Sequence, residues 1–265
     1  MTLTAYAVKI LVFVGLLACA TLAKAASGWP TATIENTQTQ SVPSTSDCAA
    51  QVAGAFTGRA VQRSSYVLGD SIGFGLQLDG LETQLQAKLG GTSRISYDGG
   101  RSITTPGQQI KKTALESVDI DKTFIADASV IVLVLGTNQL EQSFAESQQQ
   151  LMQKLKAIAP RATYYWVDIG ATMSNQVEGW NARNKTIYAN ARALGYTVIS
   201  RYKAIFGPAA DPLRIQSGQN FPDSPTESGY GGVGNIHGAY PGLSSAIVNA
   251  VSNATAVSHG CVAGA

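Results

Sequence analysis

Apolar and polar positions follow two alternating rhythms along most of this chain. Short apolar runs at residues 65–68, 94–97, 130–135, 163–169 and 197–200 read as strands. The run Val130-Ile131-Val132-Leu133-Val134-Leu135 has no polar face, as expected of a parallel strand covered by helices on both sides. Between the runs the spacing becomes helical. Leu78, Leu81, Leu85 and Leu89 share one face of a helix expected over 73–89, and Phe144, Leu151, Leu155 and Ile158 one face of a helix over 144–158. Further helices are expected over 108–118, 180–194 and 243–256. Strands separated by helices imply an α/β domain, a three-layer, doubly wound, five-stranded parallel sheet with helices on both faces and right-handed crossovers. Ligands of such sheets lie beyond the carboxyl ends of the strands, so chemistry is expected in the residues that follow each strand.

The first 46 residues break both rhythms. An early lysine, an apolar run from Ile10 to Ala20 and the small-x-small sequence Ala23-Lys24-Ala25 make residues 1–25 read as a signal peptide. Leu16-Leu17-Ala18-Cys19 resembles a lipobox, the alternative route, which would anchor the protein through lipid on Cys19. Residues 26–46, rich in Ser, Thr, Gln and Pro, bury too little to repay ordering and read as a tether. Residues 47–265 then form one domain with a full core. The expected location is outside the cytoplasm, periplasmic or extracellular.

Export changes the charge and the cysteine count. Without Lys9 and Lys24 the 19 basic residues fall to 17, matching the 17 acidic ones, and no basic stripe suggests nucleic acid. Loss of Cys19 leaves Cys48 and Cys261 as an even pair in an oxidising compartment, where a disulfide tying the two ends of the domain is expected. Closing so long a loop is worth up to about 5 kcal/mol in the chain-entropy description. Nothing in the sequence calls for a cofactor or a metal, and the chain reads as a monomer.

Three strand ends carry candidate chemistry. The first strand runs into Gly69-Asp70-Ser71-Ile72-Gly73, placing Ser71 where helix amides can stabilise an oxyanion. The second is followed by Asp98-Gly99-Gly100-Arg101, and the third by Gly136-Thr137-Asn138. His237 stands just before the last expected helix. A serine at such a turn is commonly only a cap, and an asparagine only a turn former; their joint occurrence in this order is what argues for catalysis.

In this order the chain resembles the SGNH, or GDSL-like, hydrolase superfamily over residues 64–256, whose blocks match Ser71, Gly100 (or Gly99), Asn138 and His237. The phrases VLVLGTNQ and DGGRS lean towards bacterial polysaccharide and peptidoglycan O-acetyltransferase and acetylesterase domains. The resemblance implies a flavodoxin-like sheet order, Ser71 as nucleophile, and an oxyanion hole from the amides of Ser71 and Gly100 and the side chain of Asn138. His237 would carry the proton. Independently, the chain holds two histidines, and the other, His259, is two residues from Cys261.

One position departs from the family. Gly234 stands where an aspartate usually orients the histidine. Either the site is a dyad steadied by a backbone carbonyl or Asn235, or a carboxylate arrives from Asp211, Asp223 or Glu227, or activity is lost. Asp70 is expected to be a structural hydrogen-bonding residue beside the nucleophile. Gly69 to Gly73 also fits the nucleophile elbow of α/β-hydrolases, but that fold needs several strands before its elbow. The long segment 207–234 reads as a specificity loop, with Phe221 and Tyr230 either stacking on a sugar or packing the loop down. The implied function is a serine esterase acting on acyl, chiefly O-acetyl, esters of an extracytoplasmic carbohydrate or cell-envelope polymer. The alternatives are an O-acyltransferase supplied by an envelope partner protein, and a catalytically retired carbohydrate-binding or assembly protein.

Overall fold

The computed structural model describes residues 62–139, 141–173, 175–219, 221 and 236–257. Strands β1 (Arg63–Gly69), β2 (Gly90–Tyr97), β3 (Ala128–Val134), β4 (Thr163–Val167) and β5 (Thr197–Ile199) form one sheet in the order β2-β1-β3-β4-β5. Every neighbouring pair is parallel. The chain steps from β1 outward to β2, then crosses back to β3 and continues to the other edge. The order therefore reverses between β1 and β3, the crevice in which such sheets bind ligands.

Alternation along the strands assigns the two faces. Tyr66, Leu68, Ile131 and Leu133 pack with helices α3 (Ala114–Ile120), α4 (Lys122–Ala126), α5 (Glu141–Ile158) and α6 (Val177–Leu194), through Val118, Ile125, Leu151 and Trp180 among others. Val67, Val130 and Val132 pack on the opposite face with α1 (Ser71–Leu78), α2 (Leu81–Leu89) and α8 (Tyr240–Val257), through Leu76, Leu85 and Ile247. A six-residue helix α7 (Arg201–Phe206) follows β5 directly. The expected three-layer architecture is thus present.

Two expected helices differ. The helix over 73–89 is two helices, because Asp79 closes α1 and Gly80 takes a left-handed φ of 77° before α2. That break turns Leu78 outward, 68% exposed, and removes it from the face formed by Leu81, Leu85 and Leu89. The helix over 108–118 begins only at Ala114, because the buried Asp98 carboxylate captures the amides of Gln109, Ile110 and Lys111 at 2.8, 3.0 and 3.0 Å. Thr113 then caps α3, its hydroxyl accepting from Glu116 N while the Glu116 carboxylate accepts from Thr113 N. The Cys48–Cys261 pairing and the N-terminal segments lie outside the described residues.

Candidate active site

The serine turn is fixed by one carboxylate and two glycines. Asp70 is the N-cap of α1, its Oδ1 accepting from Ile72 N at 2.8 Å, and its own amide donates to Val134 O at 3.2 Å, tying the turn to the end of β3. Caps of this kind are worth about 1 kcal/mol. A Cβ on Gly69 would lie 2.9 Å from Gly73 Cα, so the helix can start this close to the strand only with glycine there. Ser71 follows as the first residue of α1, half-buried at the β1–β3 crevice.

A single side-chain amide joins the three strand ends. Asn138 Nδ2 donates at 3.3 Å to Asp70 Oδ2 and at 3.3 Å to Arg101 O. Beside it, Gln139 Oε1 accepts from Ile103 N at 3.0 Å and its Nε2 donates to Thr104 Oγ1 at 3.2 Å, locking the loop after β2 to the loop after β3. Within that loop Gly100 has φ 73°, and the Gly99 amide donates to Gln109 Oε1 at 3.1 Å. Arg101 is fully buried and donates to Ser117 Oγ at 2.6 Å, anchoring the loop from beneath. Ser71, Gly100 and Asn138 are therefore brought to one place.

His237 lies just before α8. Its Nδ1 lies 2.9 Å from Tyr240 Oη. The Tyr240 ring rests on Gly75, one turn beyond Ser71 on α1, where a Cβ would come within 2.0 Å of Tyr240 Cζ. The preceding carbonyl, Ile236 O, accepts from Arg201 Nη2 at 2.6 Å. Arg201, 1% exposed, also lies over the Phe221 ring at 5.4 Å.

Burial governs the electrostatics. It pushes His237 down to about 4, with the Arg201 charge adding to the effect. Burial pushes Asp70 up to about 6, against the pull of the Ile72 amide and of Arg201 and Arg101. Asp168, at the end of β4, is likewise raised by burial to about 6 while accepting from Tyr202 N at 3.1 Å and Tyr188 Oη at 2.9 Å. Asp70 and Asp168 both favour the charged form of Arg201, whose burial opposes it. The imidazole is accordingly neutral at neutral pH and able to accept a proton.

No protein-family model matches the chain, and no curated protein sequence does. Among solved structures, an active-site mutant of a family two carbohydrate esterase from Clostridium thermocellum superposes with a TM-score of 0.52 at 11% identity, over 75% of this chain and 66% of that one. A family two carbohydrate esterase from the same organism in complex with cellohexaose gives 0.51 at 12% identity, over the same shares. The chain shares the fold of these two structures, the five-stranded parallel α/β fold expected from the sequence. It spans just under two thirds of the length of those two esterases, and at these identities the likeness is one of fold.

Gly234, the position at which the resemblance expects an acid, lies outside the described residues, as do Asn235, Asp223, Glu227 and Tyr230. Asp211 is described and serves its own turn, Oδ1 accepting from Leu213 N at 2.9 Å and Oδ2 lying 3.8 Å from Arg214 Nε. Phe221 packs inward, 3% exposed, with its ring 6.0 Å from that of Phe206, so of its two expected roles it takes the packing one. Asp70 has the structural role expected of it. Sequence reasoning missed Arg201, Asp168 and Tyr240. The first two follow strands β5 and β4 and are findable by the same strand-end rule that found Ser71 and Asn138; Tyr240 is three residues after His237, on the side where no family pattern directs attention.

Proposed function

We propose that this chain is an exported serine esterase that removes O-acetyl groups from an extracytoplasmic carbohydrate, with Ser71 as nucleophile and His237 as proton carrier. The observation that carries this reading is the Asn138 amide, which ties the Ser71 turn and the Gly100 loop into one donor cluster at the β1–β3 crevice. Ser71 Oγ attacks the ester carbonyl as His237 takes its proton, and the developing oxyanion is met by the amides of Ser71 and Gly100 and by one N–H of Asn138. The second Asn138 N–H keeps its contact with Asp70. His237 returns the proton to the departing sugar oxygen, and water then releases acetate by the reverse sequence.

A cavity of about 510 Å³ opens along β2 between α1 and α3, and none of Ser71, Gly100, Asn138 and His237 lines it. Phe74 and Tyr97, with ring centroids 5.0 Å apart, form one wall, and Ser96, Gln109 and the Arg94–Asp121 ion pair at 3.1 Å supply planar polar groups. Aromatic faces edged by such donors and acceptors suit a sugar ring. The test is acetate release from an O-acetylated glycan by the purified mature chain. Ser71→Ala should lower turnover by about 10³-fold or more while the fold persists. Acetyl transfer to a second glycan in place of release would select the acyltransferase; wild-type-like release by folded Ser71→Ala would overturn the mechanism.

A further inference from the structure

A histidine base needs one nitrogen bare and the other held. If Nε2 is to accept the Ser71 proton, Nδ1 must carry the ring's own hydrogen, and something must accept from it. In serine triads a carboxylate does so. Here the group on Nδ1 is a hydroxyl, Tyr240 Oη at 2.9 Å.

Two features show that this contact is built into the fold. The Tyr240 ring occupies the space that a side chain at position 75 would fill, so the helix that presents Ser71 also seats the phenol that meets His237. The Ile236 carbonyl is held at 2.6 Å by Arg201, which fixes the backbone immediately before the histidine. The ring is therefore constrained at its backbone from α7 and at its Nδ1 from α8, and α8 packs against both α7 and α1.

We propose that Tyr240 is a positioning residue for His237, its Oη accepting from His237 Nδ1–H so that Nε2 is left bare to take the Ser71 proton. This rests on the serine-esterase reading above. In the chemical step the Ser71 hydroxyl proton passes to Nε2 as the Oγ–carbon bond forms. The Nδ1 hydrogen stays on its nitrogen, and the Nε2 proton leaves with the sugar oxygen when the carbon–oxygen bond of the ester breaks. Tyr240 supplies orientation and a dipole, without the full negative charge of an aspartate. The neighbouring Arg201 charge works against the imidazolium, so the geometry favours a fixed but weak base.

The experiment pairs kinetics with ¹⁵N-histidine NMR at neutral pH. Two histidines make assignment direct, His259→Gln identifying the second signal. Wild-type His237 should show one fixed tautomer with hydrogen on Nδ1. Tyr240→Phe, which keeps the ring in its seat, should show averaged tautomers and a kcat on an aryl acetate lower by roughly 10- to 100-fold, with KM within about 2-fold. Gly75→Ala, which displaces the ring but keeps the hydroxyl, should give the same averaging. An unchanged tautomer and kcat in Tyr240→Phe, or hydrogen on Nε2 in wild type, would overturn the proposal. A wild type without esterase activity would remove the esterase reading, and the NMR result would still decide whether Tyr240 sets the tautomer.

Discussion

The proposed oxyanion side of this site draws on backbone amides and one side chain, whereas the proposed base is a single side chain. On the oxyanion side, the side chains of Asp70, Asn138 and Gln139 lock three strand-end loops together, bonding one another and the backbone of Ile72, Arg101 and Ile103 at the ends of the paired strands β1 and β3. On the base side, His237 is placed by side chains reaching across helices: Arg201 from α7 to Ile236 O, and Tyr240 from α8 to Nδ1. Backbone donors cannot be mutated away and cost no reorganisation in the transition state. A base held by side chains can be retuned by single substitutions, and its pKa follows whatever charge is buried beside it. The difference makes charge stabilisation the fixed part of the proposed mechanism and the strength of the base its adjustable part.

The sharpest way to break that comparison is to cut the oxyanion side at its one side-chain donor. Asn138→Ala should lower kcat by about 10²- to 10³-fold on any acetyl ester, more than Tyr240→Phe does, because it removes a donor that touches the reacting oxygen. A melting curve controls for the loss of its contacts to Asp70 and Arg101. If Tyr240→Phe proved the more damaging of the two, the ranking of the sides would be reversed.

A pH profile separates the sides in one protein. As pH falls through about 6, Asp70, raised by burial, takes a proton and its Oδ2 ceases to accept from Asn138. As pH falls further, through about 4, His237, lowered by burial and by Arg201, becomes charged and ceases to be a base. The expected kcat/KM profile therefore bends first near 6 and again near 4, and Asp70→Asn should abolish the first bend while keeping the second. A lone bend at the ordinary imidazole value of about 6.5 would contradict both assignments. The smallest effect is expected for Asp211→Asn, within about 2-fold in turnover, since Asp211 serves only its own exposed turn and such surface contacts contribute little. A collapse of activity there would give the base side a carboxylate.

The uneven construction also explains what could be read in advance. Val130 to Leu135 marked a central strand because a strand covered on both faces must be apolar throughout, and Ser71, Gly100 and Asn138 were findable because each follows a strand within a few residues. The split at Gly80 was hidden by a leucine spacing that stays periodic across the break. The late start of α3 was hidden because it depends on Asp98, whose carboxylate competes for amides 11 to 13 residues away. The strand-end rule finds the position of Arg201 but not its partner, a carbonyl 35 residues distant that no local pattern encodes.

The central claim is that Ser71 is an activated nucleophile. Treating the purified mature chain with a fluorophosphonate and mapping the adduct by peptide mass spectrometry tests it without knowledge of the acyl group or the acceptor. One phosphonyl group on Ser71, absent in Ser71→Ala and formed far more slowly in His237→Ala, is the predicted result; no adduct on the wild-type chain, or equal labelling of Ser71→Ala, would contradict it.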